Sequence, residues 1–196
     1  MWWGSLAGPV APPGTYAAEL AVDGDTLSTV FEILPDPRAE GSVEDLQARF
    51  DFLKSVRDKV DETHDAIRHM RAMRSQIAAL SGRLDEEMHA EVVALGQALD
   101  STMTAIEEVL YQTKLKSNQD MLNYPIRLNN KLAHVGSLAG MGLYRPTAQM
   151  MGVRDEMTAL IDVQLERWYA LRDADLPALN AAIRAHEIDL IAVPEE

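Results

Sequence analysis

A mainly α fold is predicted, an antiparallel four-helix bundle with a long first helix hairpin, preceded by an N-terminal β-hairpin. Three observations carry it. From Gly14 to Ile33 apolar residues alternate with a period of two, as on a half-buried strand. Past Leu34-Pro35-Asp36-Pro37-Arg38 the apolar period lengthens to about three and a half, the helical repeat. That repeat then recurs in several stretches separated by glycine, proline or polar residues, so the greasy side of each helix needs the others for cover.

In the first segment Tyr16, Ala18, Leu20 and Val22 alternate with Thr15, Ala17, Glu19 and Ala21. Asp23-Gly24 gives a tight turn, and a return strand near 26–33 places Leu27, Phe31 and Ile33 on one face. A lone hairpin is marginal in water, so these strands either pack on the helices or are the last two of a sandwich whose beginning is absent, and the second is the expectation. The boundary falls in the proline-stiffened linker, giving residues 1–38 as a hairpin remnant with its linker and 39–196 as the helical bundle.

Ser42 is the expected N-cap of the first helix, with Glu44 and Asp45 at the favourable end of its dipole. Val43, Leu46, Phe50, Leu53, Val56, Val60, Ile67, Met70, Ile77 and Leu80 follow at helical spacing. Ser81-Gly82 breaks that run, and a second stripe extends from Leu84 through Met88, Val92, Leu95, Leu99, Met103 and Ile106 to Leu110. Beyond the polar connection 114–123, Pro125 fits the first turn of a third helix, because its missing N–H would be unsatisfied there anyway. Leu128, Leu132 and Val135 form the apolar stripe of this helix. It stops among Gly140, Gly142 and Tyr144-Arg145-Pro146. Thr147 restarts a fourth helix with Met150, Val153, Met157, Leu160, Leu165, Trp168 and Leu171 inward. A short closing helix spans 175–186, and the tail 188–196 is expected to run back along the bundle.

With 196 residues the chain can bury a sizeable core. It has no cysteine, so disulfides and thiolate chemistry are excluded. Eighteen basic residues against 31 acidic ones give a net charge of −13, and no basic run interleaved with aromatics exists, which argues against a nucleic-acid partner. No apolar run approaches the roughly 20 residues that span a bilayer, and residues 1–8 do not read as a signal peptide.

The residues themselves reveal no reaction. Glu86 and His89 have the Glu-x-x-His spacing of di-iron bundles, but the similar Asp61/His64 pair lies roughly 27 Å from the turn near Gly82 and Glu86 only about 6 Å. The two pairs cannot meet, and no metal or cofactor is expected. His64, His69, His89, His134 and His186 are scattered, with no matching serine or cysteine nucleophile. Acidic runs such as Glu107-Glu108 and Asp155-Glu156 read as wet helix faces, and the ten methionines as core filler. No catalytic residue is assigned. Six residues remain as structural or interaction candidates. Tyr124 and Pro125 open the third helix. Asn129 and Asn130 are poor helix formers held there by something tertiary, and of Trp168 and Tyr169, late in the fourth helix, one ring faces in and the other stands near the rim, where it either stacks on a sugar or simply closes the bundle.

Several landmarks together resemble one family: Gly8-Pro9 with Pro13-Gly14-Thr15-Tyr16, Leu20 to Gly24, Asp36-Pro37-Arg38, Leu122 to Leu132, Pro146-Thr147-Ala148-Gln149 and Leu176 to Asn180. From about Gly8 to Val193 the chain is similar to the carboxy-terminal region of bacterial proteins labelled sortilin-like or neuraminidase-repeat (BNR, Asp-box) glycosyl hydrolases. The resemblance implies a β-propeller and an immunoglobulin-like sandwich ahead of this region as its partners in the same parent chain, and a secreted or periplasmic location. No Ser-x-Asp-x-Gly-x-x-Trp repeat is present here, so the implied hydrolase activity belongs to the propeller. The expected role is therefore a non-catalytic structural or interaction module, able to contact other proteins or glycans. The alternatives are a contribution to a sialidase-like glycan cleft in the parent and a free-standing helical adaptor.

Overall fold

The computed structural model describes residues 8–38, 40–85, 87–117 and 119–188. The chain is mainly helical, a helical bundle preceded by an antiparallel two-stranded hairpin. Strand β1 (Gly14–Val22) pairs with β2 (Asp25–Ile33), and five helices follow: α1 (Val43–Ser81), α2 (Ala90–Leu110), α3 (Leu128–Gly140), α4 (Ala148–Ala170) and α5 (Leu176–Ala185). Two compact units are built from interleaved stretches, Met1–Val60 with Asn130–Thr158 and Asp61–Asn129 with Ala159–Glu196.

In the first unit, Asp23 and Gly24 both take positive φ (53° and 93°). This is the two-residue turn whose twist matches that of the strands. Register follows from it: Val22 faces Asp25, Leu20 faces Leu27 and Tyr16 faces Phe31. Ser42 caps α1 as expected, its Oγ accepting the Asp45 N–H. The core of this unit includes Leu46, Phe52, Val56, Leu132, Val135 and Ala139. Phe52, rather than the expected Phe50, is the buried phenylalanine, and Val43 is exposed. Arg154 lies 5.1 Å above the Phe52 ring, so that helical face is closed by a cation as well as by carbon. Buried Arg49 donates from Nε to the Ala139 carbonyl (3.1 Å) and from Nη2 to the Gly140 carbonyl (2.8 Å). A guanidinium thereby satisfies the last carbonyls of α3, which have no partner within the helix.

The second unit contains the antiparallel helix pair. Ile77 meets Gly96, Arg74 meets Asp100 and Arg71 meets Glu107, so the partner's number rises as the α1 number falls. Met70, Met103, Ile106, Leu110, Ile161, Leu165 and Leu171 are buried here.

Four expectations are corrected. The third helix begins at Leu128, not at Pro125. The Pro125 carbonyl is held by Gln112 Nε2 at 2.8 Å, a tether that keeps residues 125–127 outside the helix. The second helix begins at Ala90, not near Leu84, and Met88 is exposed. Asp85 Oδ1 accepts the N–H groups of Glu87 and Met88, a local turn that competes with helix. On α4, Val153 and Leu160 face solvent while Ile161 is buried. The closing helix is not separate: α4 passes through a π turn, Leu171–Asp175, directly into α5. Pro177 lacks the N–H that an α-helix would donate to the Asp173 carbonyl, and the wider turn accommodates that loss. The tail 189–196 lies outside the described residues.

Candidate functional site

The stretch from Asn123 to Val135 enters α3 through a polar interior. In the second unit, buried Asn129 points its Nδ2 at His64 Nε2, 3.1 Å away. With the amide as donor, the imidazole accepts in its neutral form, its own proton on Nδ1. Burial holds the His64 pKa below the usual histidine range, and the positive charge of Arg68 adds to the effect. This satisfied pairing accounts for an asparagine where helix propensity disfavours one. Asn130, the next residue, is half-buried and belongs to the first unit.

Upstream, Gln112 is buried and forms a clasp. It donates to the Pro125 carbonyl and accepts the Lys114 N–H through Oε1 (3.3 Å). Tyr124 is exposed, with Lys114 Nζ 5.9 Å from its ring centre. The 3₁₀ turn Asp120–Leu122 completes this connection. The Asp120 carboxylate accepts the Lys116 and Ser117 N–H groups and the Ser117 hydroxyl, which holds its pKa below the usual carboxylate range. Arg127 Nε is buried without a hydrogen-bond partner among the described residues.

Trp168 and Tyr169 part company. Trp168 is 2% exposed and belongs to the core, so its ring is not available for stacking on a sugar. Tyr169 donates its hydroxyl to Glu62 Oε1 (2.9 Å) and lies under Arg172, 5.0 Å from the ring centre.

The strongest charge network uses residues to which the sequence assigned no role. Glu107, read as part of a wet face, is 2% exposed. Arg71 reaches its Oε1 at 2.6 Å and Arg74 its Oε2 at 3.0 Å. Arg74 is also paired with Asp100, chiefly by the hydrogen bond that raises its pKa. Arg71 lies 5.0 Å from the centre of the Tyr111 ring. A buried carboxylate bonded to two guanidiniums is fully compensated, and this arrangement locks α1 to α2.

One surface stands apart. On the hairpin, Ile33, Tyr16, Phe31, Leu20, Leu27 and Val22 share a face by register, whereas Glu19, Glu32, Thr15 and Thr26 lie on the other together with exposed Val30. The apolar face is open: Leu27 is 71% and Leu20 60% exposed, and Val22 and Phe31 are exposed as well. Tyr16 and Phe31 stack across the strands, ring centres 6.0 Å apart. The Tyr16 hydroxyl reaches back to the Pro12 carbonyl at 2.7 Å.

Among the described residues, no group of three or more His, Asp or Glu side chains is gathered as a ready-made metal site. Asp61 is exposed and His64 is engaged with Asn129. Glu86 lies outside the described residues, and no described helix is long and apolar enough to cross a membrane. The histidines are less scattered than the sequence implies: His89 and His186 bring their rings edge to face, 5.8 Å apart. Only the fold reveals this, because the two stand at the ends of different helices. No protein-family model, curated protein or solved structure matches the chain.

Proposed function

We propose that this chain is a non-catalytic structural and interaction module from the carboxy-terminal end of a larger sortilin-like, neuraminidase-repeat protein. Its hairpin completes an immunoglobulin-like sandwich, and its helices pack against the rest of the parent or present a surface to it. The supporting observation is the open apolar face of β1 and β2. A two-stranded ribbon with most of its large apolar side chains on one face and both of its glutamates on the other has the pattern of a sheet that packs on a second sheet about 10 Å away. Tyr16 adds a second feature. A tyrosine at the start of a strand, its hydroxyl bonded to a backbone carbonyl four residues upstream, matches the tyrosine corner of immunoglobulin-like sandwiches.

In this reading the partners are the sandwich and propeller of the same polypeptide, located with it outside the cytoplasm. Any glycoside hydrolysis belongs to the propeller. The test is to assay this chain and the intact parent on sialosides and other glycosides. The module reading predicts no turnover by the chain alone, and hydrolysis by the isolated chain overturns it.

A further inference from the structure

We propose that the slot between α2 and α5 binds a small primary alkylammonium ion, its ammonium held by Asp175 and its alkyl chain by the apolar walls. The inference is independent of the module reading and stays within the second unit. Leu95, Ala98, Leu99 and Thr102 of α2 line a cavity of about 200 Å³ together with Asp175, the last residue of the π turn, and Ala178 of α5. The four α2 residues are spaced by three and four, so they share one helical face, and the alanines contributed from each side leave the room that longer side chains would fill.

Three observations carry it. First, the cavity is smaller than the roughly 300–1,000 Å³ of pockets for drug-sized ligands, and it has room for a single chain of roughly six heavy atoms. A peptide strand does not fit such a slot, whereas one short alkyl chain against Leu95, Leu99 and the two alanines does. Second, the side chains lining it offer acceptors and no free donor. The Thr102 hydroxyl donates its proton to the Ala98 carbonyl at 2.9 Å, which leaves only its oxygen lone pairs, and an ionised carboxylate only accepts. The ligand must therefore bring the protons, and a positive charge on the group that carries them suits Asp175 and a chain of net charge −13. Third, the Asp175 carboxylate is uncommitted. Its backbone is helical (φ −76°, ψ −38°) and its side chain makes no capping bond. Pro177, just inside α5, has no N–H to give it. Among the described residues no hydrogen bond or ion pair engages this carboxylate, and nearby Arg172 is taken by Asp173. An apolar slot with a free anion at its rim is complementary to an ammonium on a short hydrocarbon chain.

The test is titration of the full chain, labelled with nitrogen-15, with n-pentylammonium chloride at constant ionic strength, read from amide chemical shifts. The wild type should show saturable shifts at residues 95–102 and 175–178, with a dissociation constant in the millimolar range expected of so small a ligand. Asp175→Asn should weaken binding about fivefold, the upper range for an exposed ion pair. Asp173→Asn is the control: it removes the same charge two residues away, from a carboxylate already bonded to Arg172, and should leave affinity unchanged. Ala98→Leu, at an exposed helix position that tolerates the larger side chain, should fill the slot and abolish the shifts. Absence of saturable shifts at these residues at tens of millimolar overturns the proposal. Equal weakening by Asp173→Asn and Asp175→Asn overturns it too, as does equally tight binding of neutral 1-pentanol, because the cation would then not be recognised at this carboxylate.

Discussion

Replacing Gly136 with alanine tests the close approach of α1 and α3 in the first unit. A Cβ built on Gly136 would lie 2.9 Å from Val56 Cγ1 and 3.6 Å from Val56 Cβ, well inside van der Waals contact. Glycine costs a helix interior about 1 kcal/mol relative to alanine, so propensity alone would make Gly136→Ala stabilising by that amount. Opposing it is an overpacking penalty of about 1–3 kcal/mol, felt in full because a β-branched valine in a helix has one strongly preferred rotamer and cannot swing aside. The expected net result is destabilisation by about 1 kcal/mol. Val56→Ala alone should cost about 2 kcal/mol through lost burial and a residual cavity. Combined, the added methyl occupies the space vacated by Cγ1, and the pair should be more stable than the sum of the single changes by about 1–2 kcal/mol. Urea unfolding followed by fluorescence and far-UV circular dichroism measures all three, with midpoint shifts at constant slope taken as stability changes. Additivity within about 0.5 kcal/mol, or a stabilising Gly136→Ala, would refute the packing.

Three further outcomes follow from the same kind of reasoning. Changing both Arg71 and Arg74 to methionine strands the buried Glu107 carboxylate and should cost about 3–5 kcal/mol. Glu107→Gln should cost less in the same urea assay, since half-exposed Arg71 can turn to water. Because burial lowers the His64 pKa, its contribution to stability is complete above the unfolded value near 6.5 and is lost as pH falls through that value toward the folded one. Imidazole NMR should place its titration below 6.5, and His64→Gln should flatten that part of the pH profile; titration at or above 6.5 would contradict the burial argument. Leu27→Thr on the open hairpin face should change the stability of this chain by less than about 0.5 kcal/mol, while the module reading predicts a larger cost in the longer parent it proposes, where a second sheet would cover the site.

The hairpin and its turn were legible from alternation and Asp-Gly, since turn geometry fixes register once the two central residues are known, with the return strand starting one residue earlier, at Asp25, than the expected 26. The long first helix was equally plain from its period and its Ser42 cap. Helix starts were misread where a side chain competes for the backbone. Gln112 holds Pro125 and Asp85 holds the 87–88 amides, and neither interaction has a periodic signature. The side of α4 that turns inward was misassigned at Val153 and Leu160 because this helix carries apolar residues around much of its circumference, so spacing alone does not choose a face. Asn129 was rightly singled out as a residue needing a tertiary reason, but its partner His64 lies 65 residues away. Glu107 was read as solvated because an acidic dipeptide usually is, and only the arrival of two arginines from α1 reverses that assignment.

The module reading is tested most directly by native-state hydrogen exchange at the amides of residues 15–33, measured in this chain and in the parent polypeptide. The apolar face formed by Leu20, Val22, Leu27 and Phe31 is open in this chain, and an isolated two-stranded ribbon is marginally stable. The account predicts rapid exchange of these amides in the chain alone and strong protection in the parent. Equal protection in both would mean that the ribbon needs no covering sheet, and would contradict it.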